Sequence, residues 1–340
     1  MDSLSQLVLG AATAEAIAGK KVGNKAVLWG AIGGTIPDLD VFLRPFVNDI
    51  HGIDWHRGIS HSFLFFILIS PLLGRMVSRI YKNKQGSAKF WSWVMFATLV
   101  THVLLDCFTT WGTQLFWPLQ TRVAWHTVFV ADPMYTVPLL LSVLAVLFIK
   151  RTKISRQVVN WVGLSVSSAY LALTVVHKNL ANDAFERAFA AQGINVEYYE
   201  SRPTPLNTIL WSGTAKSGDG YYVGYYSLFD KLPPEEMKLV YVPANHELAT
   251  PFENEKDVKQ LIFLTQGFYA VESAEPGVVI NDLRFGQVAP IDGSEAQIVF
   301  GFHVVPKNGS VEIVQNEQPS PSGDEASQML KALFSRLKGI

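Results

Sequence analysis

Three short groups in the first third of the chain carry the residue types that metal and acid–base chemistry needs. They are Pro37-Asp38-Leu39-Asp40, His56-Arg57-Gly58-Ile59-Ser60-His61-Ser62 and His102-Val103-Leu104-Leu105-Asp106. His102 and Asp106 stand four apart in a predicted helix, so their side chains share one face and suit two ligands of one ion, or a ligand and its partner. A core His–Asp pair is the plain alternative, but burying a carboxylate in a membrane segment is costly and points to function. Asp38 and Asp40 alternate after a helix-stopping proline, so both carboxylates can converge on one cation; a turn or cap would use them equally well. His56 and His61 offer imidazoles to a metal, and Arg57 between them offers a fork to a phosphate or carboxylate. The alternative there is an interfacial polar loop, with Ser60 or Ser62 capping the next helix. Glu15 interrupts an apolar run and must be neutral, paired or coordinated. Asp132, before Pro133, is either a helix cap or a metal ligand. His126, His177, His246 and His303 lack such company. Oxygen and nitrogen donors without a useful thiolate suit Zn, Mn, Fe or Mg, and their number suggests two or more ions acting on a phosphoester. No glycine-rich nucleotide loop or Gly-x-Ser-x-Gly elbow accompanies them.

The elements that must position these groups are mostly apolar. Hydrophobic residues make up 49% of the 340, charged residues only 17%, which is too apolar for an ordinary soluble enzyme. A formal net charge of -1 provides no global basic field for nucleic acid. One cysteine, Cys107, excludes an intrachain disulfide. The start Met1-Asp2-Ser3 lacks the basic region of a cleavable signal peptide, so insertion is expected from internal segments. Residues 4–19 and 26–36 are short for full spans and rich in glycine and alanine, which predicts a tightly packed helical hairpin, spanning or re-entrant, rather than two independent spans. Residues 63–81, 90–108, 134–149 and 157–176 read as spanning helices.

Basic residues cluster at Lys20, Lys21 and Lys25, at Arg75, Arg79, Lys82, Lys84 and Lys89, and at Lys150, Arg151, Lys153 and Arg156. The positive-inside rule makes all three clusters cytoplasmic and places the Asp/His groups and the chain after His177 on the opposite side. Beyond residue 178 short Val-, Tyr- and Phe-rich segments punctuated by turns predict strands. The expected architecture is a mainly α transmembrane bundle with an N-terminal helical hairpin (residues 1–178). An extracytoplasmic α+β or β-rich soluble domain follows (179–318), then a Pro/Ser linker and an amphipathic helix (319–340). Separate amphipathic helices are expected over 180–192 and 325–338.

The order of motifs, from Pro37-Asp38-Leu39-Asp40 through His56-Arg57-x-x-Ser60-His61-Ser62 and His102-x-x-x-Asp106 to Asp132-Pro133, resembles the YdjM-like family of bacterial membrane-bound, metal-dependent hydrolases, also described as LexA-binding inner-membrane proteins. The likeness covers roughly residues 1–180. It implies an inner-membrane protein, a divalent metal and hydrolytic activity. Many members carry a histidine near the N-terminus where this chain has Gln6, which leaves Glu15 as the stand-in. The combined expectation is a metal site at the outer membrane surface, with Asp38, Asp40, His56, His61, His102 and Asp106 as ligands or close partners. Arg57 would hold an anionic group of a membrane-lipid or small-molecule substrate, such as a lipid-linked ester or phosphoester. An ion transporter using the same residues, or a scaffold with a structural metal, are the rival readings.

Overall fold

Small side chains in the first apolar run let two helices meet backbone to backbone. In the computed structural model, which describes residues 1–46, 52, 55–288, 297–307, 310–316 and 323–340, α1 runs Ser3–Val22 and α2 runs Asn24–Thr35. They are hinged at Gly23, whose φ of 64° is left-handed and costs glycine little. A Cβ at Gly10 would lie 2.3 Å from the Gly30 carbonyl oxygen, so any larger residue there would drive the helices apart. The 3-10 helix Pro37–Phe46 follows, and a short 3-10 turn, Ile59–His61, leads into α3 (Phe63–Ile80). Ser62 caps α3 by accepting from the Phe65 amide at 3.2 Å. Next come α4 (Ala88–Asp106), α5 (Pro133–Phe148) and α6 (Ile154–Ala191).

Three helices, α3, α4 and α6, are long and apolar enough to cross a membrane. The fourth expected span, α5, is apolar but has only 16 residues, about 24 Å of helix against a hydrocarbon core of about 30 Å. A second difference concerns residues 157–192. The sequence suggested a span and a separate amphipathic helix, whereas α6 is one helix of 38 residues. His177-Lys178-Asn179 change its polarity, but with neither glycine nor proline there the backbone ladder has no reason to stop.

Packing divides the chain into two compact units, the first mainly residues 1–175 and the second mainly 176–340. In the first unit the three basic segments meet at one end. Lys25 donates to Gln85 at 2.5 Å and Arg151 to the Lys21 carbonyl at 2.9 Å. Arg156, counted in the sequence as a loop charge, is instead buried against Glu15. The second unit contains two antiparallel meanders in sequence order. One is β1 (Tyr198–Pro203), β2 (Leu210–Ser217), β3 (Gly220–Ser227) and β4 (Leu239–Pro243). The other is β5 (Tyr269–Ser273), β6 (Val278–Val288), β7 (Gln297–Lys307) and β8 (Ser310–Gln315). Phe185 and Phe189 of α6 pack against Trp211 and Ala215 in this unit's core. Helices α7 (Lys256–Leu264) and α8 (Gly323–Leu337) complete it, with Arg336 of α8 paired to Asp230 at 2.6 Å. The chain is thus a helical membrane unit followed by a β-rich one. Of the expected Pro319–Gly323 linker, residues 319–322 lie outside the described residues and Gly323 begins α8.

Candidate metal centre

Four side chains from three elements converge where α2 and α4 end and α3 begins. Asp38 comes from the first 3-10 helix, His61 from the second, and His102 and Asp106 from the last turns of α4. One donor atom of each lies within 4.8 Å of all the others. His61 Nε2 is 3.3 Å from His102 Nε2, 3.3 Å from Asp38 Oδ1 and 3.4 Å from Asp106 Oδ2. His102 Nε2 is 3.4 Å from Asp38 Oδ1 and 3.5 Å from Asp106 Oδ2. His61, His102 and Asp106 are buried, while Asp38 is about a quarter exposed and marks the open side.

The partners of the two rings decide what this convergence means. His102 Nδ1 faces the Gly34 carbonyl at 2.6 Å, and a carbonyl can only accept, so Nδ1 holds the proton. His61 Nδ1 faces Ser60 Oγ at 2.9 Å, and Ser60 spends its own proton on Asp40 Oδ2 at 2.6 Å. His61 Nδ1 is therefore the donor as well. In neutral rings both Nε2 atoms are bare lone pairs, directed at each other and at two carboxylate oxygens. Asp106 Oδ2 is buried with no hydrogen-bond partner. In that state four acceptors meet, an arrangement that a divalent cation would satisfy. Protonating both rings would place two N–H groups 3.3 Å apart, facing one another. A tetrahedral ion with bonds of about 2.0–2.1 Å has ligand–ligand edges of about 3.3–3.4 Å, close to the five edges that involve a histidine. The donor set therefore fits a divalent ion.

The surroundings hold these ligands in place. The Gly10–Gly30 approach seats α2 on α1, and a Cβ at Gly33 would lie 2.3 Å from Thr98 Oγ1 of α4. That contact delivers the Gly34 carbonyl to His102. Asp106 Oδ1 accepts from Gln6 Nε2 at 2.9 Å, contacts the Met1 amino group, and lies 3.5 Å from Arg57 Nη2, which leaves Oδ2 turned toward the ion position. Arg57 also donates to Thr109 Oγ1 at 2.7 Å. Its φ of 63° is one of few left-handed non-glycine values, so the backbone strains to bury it. Burial opposes ionisation of Asp40, yet the His56 ring beside it outweighs burial and holds that carboxyl below its usual range.

The sequence candidates thus fall into three places. Asp38, His61, His102 and Asp106 form the cluster. Asp40 and His56 stand behind it, His56 Nδ1 being 2.8 Å from Asp40 Oδ1, and Arg57 sits against Asp106. Glu15 and Asp132 lie apart from the cluster. Glu15 accepts both Nε and Nη2 of Arg156 at 2.7 Å. Asp132 caps α5 through the Met134 amide at 2.9 Å and accepts from Tyr170 at 2.7 Å. Gln6 therefore reaches the site itself, and Glu15 does not serve in its place. Among the other histidines, His177 pairs with Thr208, His246 with the Tyr269 carbonyl and His303 with the Pro276 carbonyl. Sequence reasoning passed over Thr109, which lies three residues beyond Asp106 in the turn that follows α4. It read Ser60 only as a cap.

Replacing Asp40 with asparagine or Ser60 with alanine removes the partner that orients His61 while leaving all four ligands. Metal affinity is expected to fall about 10–100-fold in each variant, measured by competition with a chelating dye.

An α-helical membrane unit with a buried His/Asp centre at the ends of its helices defines the class. The YdjM inner membrane protein family matches residues 1–181, just over half of the 340, and the chain belongs to that family. Comparisons with curated proteins and with solved structures find no match.

Proposed function

We infer that the protein is a multi-pass, metal-dependent hydrolase of an ester or phosphoester, working at the outer face of the inner membrane. The observation that carries this reading is the convergence of two imidazoles and two carboxylates, with His61, His102 and Asp106 each steadied by a partner behind it. Two imidazoles and two carboxylates at tetrahedral spacing favour zinc over Mn, Fe or Mg. Such an ion would supply Lewis acidity and a nucleophilic water at neutral pH. The chain's own residues do the rest: Asp38, His61, His102 and Asp106 bind, Ser60 with Asp40 and the Gly34 carbonyl fix the two rings, and Arg57 with Gln6 fixes Asp106. Arg57 spends its fork on Asp106 and Thr109, which supports a positioning role over that of a substrate clamp. The open side at Asp38 is where substrate would approach.

The meeting of all three basic segments at the opposite end supports a cytoplasmic location for that end. The metal centre and the second unit then face outward. A reporter fused after Ile340 is expected to behave as extracytoplasmic and one in the Lys82–Lys89 loop as cytoplasmic; both on one side would defeat the topology. The hydrolase reading is tested on detergent-purified protein by metal analysis together with turnover of phosphodiesters, phosphomonoesters and carboxylic esters. Metal-dependent turnover lost in Asp106→Asn is expected. A metal-loaded protein that turns over none of them, yet carries ions across liposomes, would make it a transporter.

A further inference from the structure

Residues around the mouth of the centre are apolar and turned outward. In the 3-10 helix Pro37–Phe46, Asp38 and Asp40 reach inward to the two histidines. Leu39 and Phe42, three apart and so on one face, are exposed, Phe42 to 69%. Trp55 and Ile59, on the segment carrying His56 and His61, are also exposed. Across from them Phe116 and Leu119 are exposed, and their loop is tied to the site. The Gln114 amide bonds the Arg57 carbonyl and the Phe63 amide bonds the Leu115 carbonyl, each at 3.0 Å, and the Phe116 ring lies 5.8 Å from that of Phe63. Six large exposed apolar side chains therefore lie on the segments that carry the polar centre or bond to them, a costly exposure in water.

Their position along the spans says what covers them. His61 lies two residues before the spanning helix α3 begins, and Asp106 is the last residue of the spanning helix α4. The outward residues Leu64, Ile67 and Leu68 of α3 continue the exposed apolar surface from Ile59 into the membrane. The centre thus sits where hydrocarbon gives way to headgroups, the level at which aromatic residues concentrate in membrane proteins.

We propose that Leu39, Phe42, Trp55, Ile59, Phe116 and Leu119 form a collar that sets the mouth of the metal centre in the headgroup–acyl boundary, so that its substrate is a bilayer phospholipid presented headgroup first. This names the substrate class of the hydrolase reading and rests on it. A lipid needs no desolvation of its chains to reach such a mouth, whereas a water-soluble ester would have to leave the aqueous phase.

The test places a nitroxide at Leu39→Cys, Phe42→Cys and Leu119→Cys in proteoliposomes of phosphatidylethanolamine and phosphatidylglycerol. Buried Cys107 is left in place. Leu68→Cys in α3 and Lys238→Cys in the second unit are the membrane and water standards. All three collar labels are expected to show oxygen-to-nickel-chelate accessibility between the standards, about 5–10 Å into the boundary. A benzophenone amino acid in place of Phe42 should cross-link to phospholipid. Labels as water-accessible as that at position 238, labels shielded from both probes, or a protein adduct would overturn the collar. Neither readout needs turnover, so a lipid-embedded collar on a metal-loaded protein that hydrolyses nothing would sink the hydrolase reading and leave lipid docking standing. Preferential hydrolysis of water-soluble phosphoesters over vesicle phospholipid would overturn lipid as the substrate.

Discussion

Replacing His102 with alanine is expected to empty the metal centre while leaving the fold in place. Its Nε2 is one of four donors, and the other three share no proton that could close the gap. Loss of a group that merely orients a ligand weakens metal binding about 10–100-fold, so loss of a ligand should exceed about 100-fold, or about 2.8 kcal/mol. His61→Ala should behave alike. Asp106→Asn keeps an oxygen for Gln6 and Arg57 but replaces Oδ2 with an amide NH2 that cannot bind a cation, so it should lose the ion. Metal content by elemental analysis, read beside the melting transition, checks the result. Full metal content in a folded His102→Ala protein would make the cluster a polar core pairing and remove the basis for hydrolysis.

The largest stability effect is expected far from that centre, at Glu15 and Arg156. Both are buried, and the guanidinium holds the carboxylate with two bonds of 2.7 Å. Arg156 Nη1 also donates to Asn24 Oδ1 and to the carbonyls of Val146 and Ile149 near the end of α5. One side chain thus joins α1, α2, α5 and α6. Glu15→Ala would strand a buried cation, and Arg156→Ala a buried anion and the Ile149 carbonyl, while the Val146 carbonyl keeps the Ile149 amide. Breaking a buried pair costs about 3–5 kcal/mol. For a unit of this size that is a fall in Tm of about 6–20 °C. Combining Glu15→Leu with Arg156→Met removes both charges and should recover part of the loss, though the freed Ile149 carbonyl just beyond α5 keeps recovery incomplete. Metal content should stay at the wild-type level in the double variant. A loss of metal in step with Glu15 substitution would instead connect this pair to the centre.

Some of this molecule is written locally. Runs of apolar residues mark α3, α4 and α6 because transfer to lipid depends on composition over about 20 residues, not on partners. Ser62 and Asp132 announce helix starts, since a cap bonds an amide only two or three residues on. The spacing of His102 and Asp106 puts them on one face whatever surrounds the helix. The change to β-rich composition after residue 178 is also local, and the second unit there folds into two meanders.

The partners of those residues are not local, and only the tertiary structure chose them. Glu15 meets Arg156 across 141 positions and Gln6 meets Asp106 across 100. No periodicity predicts either, because a buried carboxylate accepts whichever cation the packing delivers. Asp38 and Asp40 have the same type and neighbouring positions, yet Asp38 faces both Nε2 atoms and Asp40 steadies His56 and Ser60. A 3-10 turn, not the extended segment expected, separates their directions. Which ring nitrogen is free to bind is set by the Gly34 carbonyl and Ser60. The carbonyl reaches His102 only because glycines let α1, α2 and α4 approach at backbone distance. The sequence determined which residues can bind an ion; helix packing decided which four of them meet and which nitrogen of each ring is left bare.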